Sequence, residues 1–238
     1  MVGPQGFARL PELDALPNLK HGFEQQPPAL AESLEARRAR ASRALAASGR
    51  LLLLRQVHGA RVQAAPWEGR PEADAATADR AGLLIGIETA DCLPVLLVDP
   101  RRGAVAAAHA GWRGTAAGVA HAAAHALIDA GSRRRDLIAA LGPAIGPCCY
   151  EVGEELREVF GSPAAAFFSP GTRGRPHLDL RGLNRAQLLA VGLDPSRVLS
   201  LDHCTRCRAD LYPSFRRDGP GSGRMLSFVG FEPRGAGG

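Results

Sequence analysis

A chain of 238 residues, 45% hydrophobic and 22% charged, has enough apolar material for a sizeable core and the balance of an ordinary soluble protein, which sets aside fibrous and disordered classes. Its net charge of +5 is almost all arginine, Lys20 being the only lysine among 29 basic residues, and with aromatics at 5% no basic run interleaves with them, so no nucleic-acid partner is expected. No apolar run is long enough to cross a membrane, the first fifteen residues lack a signal-peptide pattern, and five cysteines is an odd count, so a cytoplasmic protein without a disulfide framework or membrane partner is expected.

In chain order, residues 1–20 are Pro-rich and irregular, with room for one short edge strand. Residues 29–48 read as an amphipathic helix with Leu30, Leu34, Ala41 and Leu45 on one face, its arginines solvated and Gly49 as its stop. Residues 51–57 form a strand-like run that ends in His58-Gly59, and residues 61–65 are expected to return as its hairpin partner. Residues 67–79 read as a polar, turn-rich loop carrying Asp74 and Asp79. Residues 83–87 are a buried strand leading towards Cys92.

The central stretch reads as a hairpin. Residues 92–98 are an apolar run, as in a strand buried on both faces. Asp99-Pro100-Arg101-Arg102-Gly103 supplies a turn, and residues 104–108 return to deliver His109. Gly111-Trp112-Arg113-Gly114 bends the backbone into a helix over 114–130. His121 and His125 share a face of that helix, but Ala122 stands where a metalloprotease pair needs Glu, so they read as surface histidines.

Residues 137–141 form a strand entering the rigid loop Gly142-Pro143-Ala144-Ile145-Gly146-Pro147. Cys148 and Cys149, being adjacent, read as packing residues. A helix over 151–160, a Gly/Pro-rich surface loop over 161–176, a strand over 177–180 and a helix over 181–191 follow. Residues 198–201 make a strand before Cys204-Thr205-Arg206-Cys207, a single Cys-x-x-Cys that could complete a four-cysteine site only by borrowing Cys148 or Cys149. It reads as structural. A polar loop over 214–218 and a last strand over 224–231 close the chain. Strands and helices mix without strict alternation, which gives an α+β class: a single layered domain over 1–238, of mixed β-sheet flanked by helices.

Three apolar runs thus begin or end at His58, Cys92 and His109. Two imidazoles and a thiolate are a donor set used by catalytic zinc, which leaves a coordination position for substrate. The residues alone leave open that both histidines are hydrogen-bonded strand ends and Cys92 a small core residue.

Gln56-Val57-His58-Gly59, Thr89-Ala90-Asp91-Cys92-Leu93-Pro94, His109-Ala110-Gly111-Trp112-Arg113-Gly114, the block from Gly142 to Gly153 and Ser214-Phe215-Arg216-Arg217-Asp218 resemble, in order, the blocks of the laccase-domain family. That family has also been called polyphenol oxidase and peptidoglycan editing factor, and is described as zinc-dependent purine nucleoside phosphorylase and adenosine deaminase. The resemblance spans about residues 51–224. It implies a mixed sheet sandwiched by helices, with the metal held by His58, Cys92 and His109. It further implies a carboxylate at Asp74, where either an orienting role near the metal or plain solvation fits the residues. His21-Gly22-Phe23 resembles the family's first strand. The Gly-Gly-Val-Ser loop that usually follows is missing, replaced by Glu24-Gln25-Gln26-Pro27-Pro28.

By this resemblance the chain is expected to cleave adenosine, inosine and 5′-methylthioadenosine with phosphate, and to deaminate adenosine, with zinc as cofactor and copper as the other candidate metal. Purine nucleosides and phosphate are then its small-molecule partners. Arg113, at the opening of the 114–130 helix, is the first candidate for binding phosphate, with Arg216 and Arg217 next; the latter two could instead pair with Asp218. Three other readings use the same residues: a metal-free hydrolase with Cys92 as nucleophile, a copper-dependent phenol oxidase, and a non-enzymatic module of peptidoglycan quality control.

Overall fold

Alternate side chains of the apolar run after Cys92 enter two different cores, which is why the run holds no polar position before its end. The computed structural model describes residues 6–25, 50–171 and 174–233. From the N-terminus these form β1 (Phe7–Ala8), α1 (Pro11–Asp14), β2 (Leu19–Glu24), β3 (Arg50–Leu53), β4 (Val62–Ala64), β5 (Ala75–Ala78), β6 (Leu83–Thr89), β7 (Leu93–Asp99) and β8 (Ala104–Ala110). Then come α2 (Trp112–Ala116), α3 (Val119–Asp129), β9 (Ile138–Leu141), α4 (Glu155–Phe160), β10 (Phe168–Ser169), β11 (His177–Leu178), α5 (Leu180–Val191), β12 (Val198–Ser200), α6 (Phe215–Asp218) and β13 (Met225–Phe231).

In β7, Leu93, Val95 and Leu97 face a core shared with α3 and α5, whereas Leu96 and Val98 face a second sheet. β8 repeats the division, with Ala106 and Ala108 on the helix side and Val105 and Ala107 on the other. His109 shares the parity of Val105 and Ala107, so it leaves the strand towards the second sheet. The two strands pair antiparallel, as expected, around a turn in which the Asp99 carboxylate accepts from the backbone N–H of Arg101 at 3.0 Å and Arg102 at 3.1 Å.

The expected α+β class holds, and its mixed sheet is two mixed sheets stacked face to face. The six-stranded sheet runs β12-β9-β7-β8-β5-β4, parallel at its two ends and antiparallel in the middle. The five-stranded sheet runs β1-β2-β13-β6-β3, with only β3 and β6 parallel. Ile85, Ile87 and Val229 of the second sheet pack against Leu96, Val98, Val105 and Ala107 of the first.

Several elements differ from the sequence expectations. Residues 61–65 do not return as a hairpin: β4 pairs parallel with β5 in the six-stranded sheet, whereas β3 lies in the other sheet and ends at Leu53. The stretch 67–79 is not a loop throughout. It holds β5, whose Ala-rich composition hides the pattern of a strand, and its Trp67 is buried with the indole N–H donating to the Leu53 carbonyl at 3.2 Å. The helix over 114–130 is two helices, because Gly118 adopts φ 77° between α2 and α3. The helix over 151–160 begins only at Glu155, since Glu151 bridges to His177 beside β11. The 161–176 loop contains a 3₁₀ turn over Ser162–Phe167 and β10, and the 214–218 loop contains α6, capped by Ser214 Oγ accepting from the Arg217 N–H at 3.2 Å. The helix expected over 29–48 lies outside the described residues, as does most of the segment in place of the missing family loop.

Candidate metal centre

Asp74, taken above as either an orienting group or a solvated loop carboxylate, is fully buried immediately before β5. Its carboxylate accepts four hydrogen bonds: from the backbone N–H of Val57 at 3.1 Å, His58 at 2.8 Å and Gly59 at 2.7 Å, and from Nδ1 of His109 at 2.8 Å. The solvated reading is therefore wrong. Three successive N–H groups converge on one anion because His58 sits in the left-handed region at φ 62°, a conformation that costs a non-glycine residue and is held by these bonds. Burial pushes the Asp74 pKa up, but the bonds from His109, Gly59 and Val57 outweigh it and leave it below the ordinary carboxylate value.

The bond to Nδ1 fixes the His109 tautomer and leaves Nε2 as the ring nitrogen available to Cys92. His109 is buried, while His58 stands exposed, their rings meeting edge to face with centroids 4.8 Å apart. The ligand atoms of His58, Cys92 and His109 all lie within 4.8 Å of one another. Burial alone would raise the Cys92 thiol; hydrogen bonds with His109 and His58 bring it down to about 6. For His109, burial lowers the pKa, but Asp74 and Cys92 raise it to about 9. A thiolate and two imidazoles, one oriented by a buried carboxylate, fit a zinc-type ion with a position left free.

These donors line a cavity of about 620 Å³, which suits a nucleoside-sized ligand. Its wall includes Gln56, Arg70, Glu88, Tyr150, Phe215 and Arg216. Gln56 is locked by a reciprocal pair: its amide donates to the Glu88 carbonyl and accepts from the Glu88 N–H, both at 2.8 Å. Arg70 pairs with the Glu88 carboxylate.

Asp91, at φ 79°, accepts from Thr205 Oγ1 at 2.6 Å and from the backbone N–H of Arg216 at 2.7 Å. That bond tethers Arg216 to the wall, where its guanidinium donates to the Glu151 carbonyl at 2.7 Å and lies 5.3 Å over the Tyr150 ring. Burial raises the Tyr150 phenol, with the Cys92 charge adding to that rise and the Arg216 and Arg113 charges opposing it. Arg113 itself is exposed, stacked 4.3 Å over Trp112 and outside the cavity wall. The five-residue α2 also offers no long array of amides there. Arg217 is occupied by Asp218 at 2.7 Å and by the carbonyls of Thr205, Arg206 and Tyr212.

Phe215, half exposed, and Tyr150 are aromatic wall residues that the sequence reading did not single out, although both lie inside the blocks quoted for the resemblance. In a chain only 5% aromatic, their place inside those blocks was the signal that could have found them. His121 and His125 stack at 4.3 Å and form no metal-competent group with a third residue among the described residues.

A protein-family model described as "Multi-copper polyphenol oxidoreductase laccase" matches residues 22–232. The purine nucleoside phosphorylase YlmD of Geobacillus stearothermophilus is 38% identical over 194 residues, 74% of this chain and 70% of that protein. The adenosine deaminase RL5, from an unknown prokaryotic organism, is 37% identical over 201 residues, 75% of this chain and 74% of that protein. The crystal structure of YlmD from G. stearothermophilus superposes with a TM-score of 0.85 at 30% identity, covering 97% of this chain and 98% of that one.

Proposed function

The chain belongs to the multi-copper polyphenol oxidoreductase laccase family, and from that premise we propose that it is a purine nucleoside phosphorylase that also deaminates adenosine. Its substrates are adenosine, inosine and 5′-methylthioadenosine, cleaved with phosphate to free base and the ribose 1-phosphate or its methylthio analogue. The observation that carries this reading is the convergence of His58, Cys92 and His109 at a cavity of nucleoside size. We take residues 1–238 as one domain, working in the cytoplasm, where five free thiols persist. No helix among the described residues is long and apolar enough to cross a membrane.

His58, Cys92 and His109 would hold zinc, which when bound supplies Lewis-acid polarisation at the reacting group. The chain's own residues do the rest. Asp74 keeps the proton on Nδ1 of His109, so Nε2 presents its lone pair. Phe215 and Tyr150 give the flat, apolar surface a purine needs, and Gln56, locked to the Glu88 backbone, stiffens another part of the wall. Arg216 brings a guanidinium to the same space, the group best shaped for phosphate, and Arg113 adds positive charge from beyond Tyr150.

Incubation with each nucleoside, with and without phosphate, tests the reading. Free base should be released only when phosphate is present, and ammonia from adenosine without it. Cys92→Ala and His109→Ala should lose turnover together with the ion held at this centre. No nucleoside turnover under any condition would leave the peptidoglycan module standing instead.

A second reading has one observation behind it. Between about pH 6 and 9 the metal-free site holds a Cys92 thiolate beside a charged His109, the pair a cysteine hydrolase uses. Full activity in metal-stripped protein would favour it. A multicopper oxidase is less well supported. Of the seven histidines, only His58 and His109 fall in a metal-competent group among the described residues, fewer imidazoles than several coppers need.

A further inference from the structure

Four of the five cysteines lie together, away from the centre described above. Cys148 and Cys149 were expected to pack and Cys204 and Cys207 to be structural, yet the four sulfurs all lie within 4.8 Å of one another. Cys207 Sγ is 3.4 Å from that of Cys149 and 3.7 Å from that of Cys148. A tetrahedral tetrathiolate with zinc–sulfur bonds of ~2.3 Å has sulfur–sulfur edges of roughly 3.8 Å. A disulfide needs ~2.05 Å.

Each pair of sulfurs is presented by a tight turn. The Gly146 carbonyl accepts from the N–H of both Cys149 and Tyr150 at 2.9 Å, and the Cys204 carbonyl accepts from Arg208 at 3.0 Å. Ala144 and Cys204 are bridged in parallel, which holds the turns side by side. Two further features suit an anionic cluster. The Gly146 N–H donates to Cys204 Sγ at 3.3 Å, and the Arg206 guanidinium bonds to Cys149.

We propose that Cys148, Cys149, Cys204 and Cys207 form a structural tetrathiolate site for zinc, the four thiols releasing their protons as the ion binds. Soft thiolates in a closed tetrahedral set select zinc or iron, and with no open position the ion does no chemistry on substrate. Its role is to staple two loops that build the cavity wall. The first loop continues into Tyr150. The second carries Thr205, which reaches Asp91, and leads to Phe215 and Arg216.

The test uses the full chain purified under reducing conditions without added metal. Cys92→Ala removes the thiolate of the other centre, and should retain about one zinc per chain by mass spectrometric metal analysis. Exchange of that zinc for Co²⁺ should give the intense visible bands and sulfur charge-transfer absorption of a four-thiolate site. Cys204→Ser/Cys207→Ser should lose this ion. If that variant fails to fold, titrating the zinc-loaded Cys92→Ala protein with a mercurial should release the ion as four thiols react.

A folded Cys92→Ala protein without metal would overturn the proposal. So would a cobalt spectrum of fewer thiolates, iron in place of zinc, or a disulfide among the four cysteines in protein kept reduced. Equal zinc content in wild type and Cys92→Ala would count against the His58 centre and leave this one intact.

Discussion

Asp74 carries more hydrogen bonds than any residue that would touch the ion, and Asn in its place cannot reproduce them. An amide has one acceptor oxygen, and its NH₂ would face donors from Val57, His58, Gly59 or His109. Leaving one of these donors unpaired costs about 1–3 kcal/mol. Losing the partner of His109 should weaken metal affinity or activity by roughly 10–100-fold. Metal titration of Asp74→Asn beside the wild type reads this directly, and unchanged affinity would remove Asp74 from the centre.

Gly111 makes a different point. The sequence suggests it bends the chain, but its φ of −74° is open to any residue. What excludes a side chain is space, since a Cβ there would meet Cys92 Sγ at 2.8 Å and His58 Cδ2 at 3.3 Å. Gly111→Ala should therefore keep its circular dichroism yet bind metal at least about tenfold more weakly, as expected when donors are displaced. Wild-type affinity in that variant would show that the sulfur has room to move.

At the scale of single elements, β2 shows how a polar residue is accommodated in a sheet core. His21 is buried, and its Nε2 accepts from the Leu10 N–H at 3.0 Å, which only the neutral ring can do. Burial lowers its pKa to about 4, against the pull of Asp14 and with the help of Arg9. The unfolded chain, with His near 6.5, therefore takes up the proton first as pH falls. Stability is full above about pH 6.5, falls towards about pH 4 and is flat in this term below, a loss of up to about 3 kcal/mol. Urea midpoints across that range should fall accordingly, and His21→Gln should remove most of the slope. An unaltered slope would mean that other groups cause it.

Elements with a strong local pattern were legible from the sequence. The β7–β8 hairpin shows its two-sided burial and its turn within twelve residues. β5 was not legible, because three of its four residues are alanine and alanine marks neither face. The 114–130 helix was read without its break, since a single glycine in an Ala-rich run does not reveal its φ.

For the whole molecule, the decisive contacts are between parts distant in sequence. β13 pairs with β6 across about 140 residues and with β2 across about 200, and no local periodicity encodes such partners. The donor types at the centre were readable because His58, Cys92 and His109 interrupt or end apolar runs. Their meeting was not, because it depends on β5 pairing with β8 and on Asp74, just before β5, holding the His58 turn.

His58 follows β3 of the five-stranded sheet. Cys92 sits immediately before β7 and His109 lies in β8, both of the six-stranded one, so an ion at the centre ties the segment after β3 to that sheet. An ion bound only by the folded form stabilises it by RT ln(1 + [L]/Kd), about 2.7 kcal/mol at a free concentration of 100 Kd. For a chain of this size that is a rise in Tm of roughly 5–10 °C. Metal-free wild-type protein titrated with zinc should show a rise of that order beyond whatever Cys92→Ala shows, because the variant keeps every other site. Equal rises in the two proteins would mean that the three donors, however close, do not act together as a ligand set.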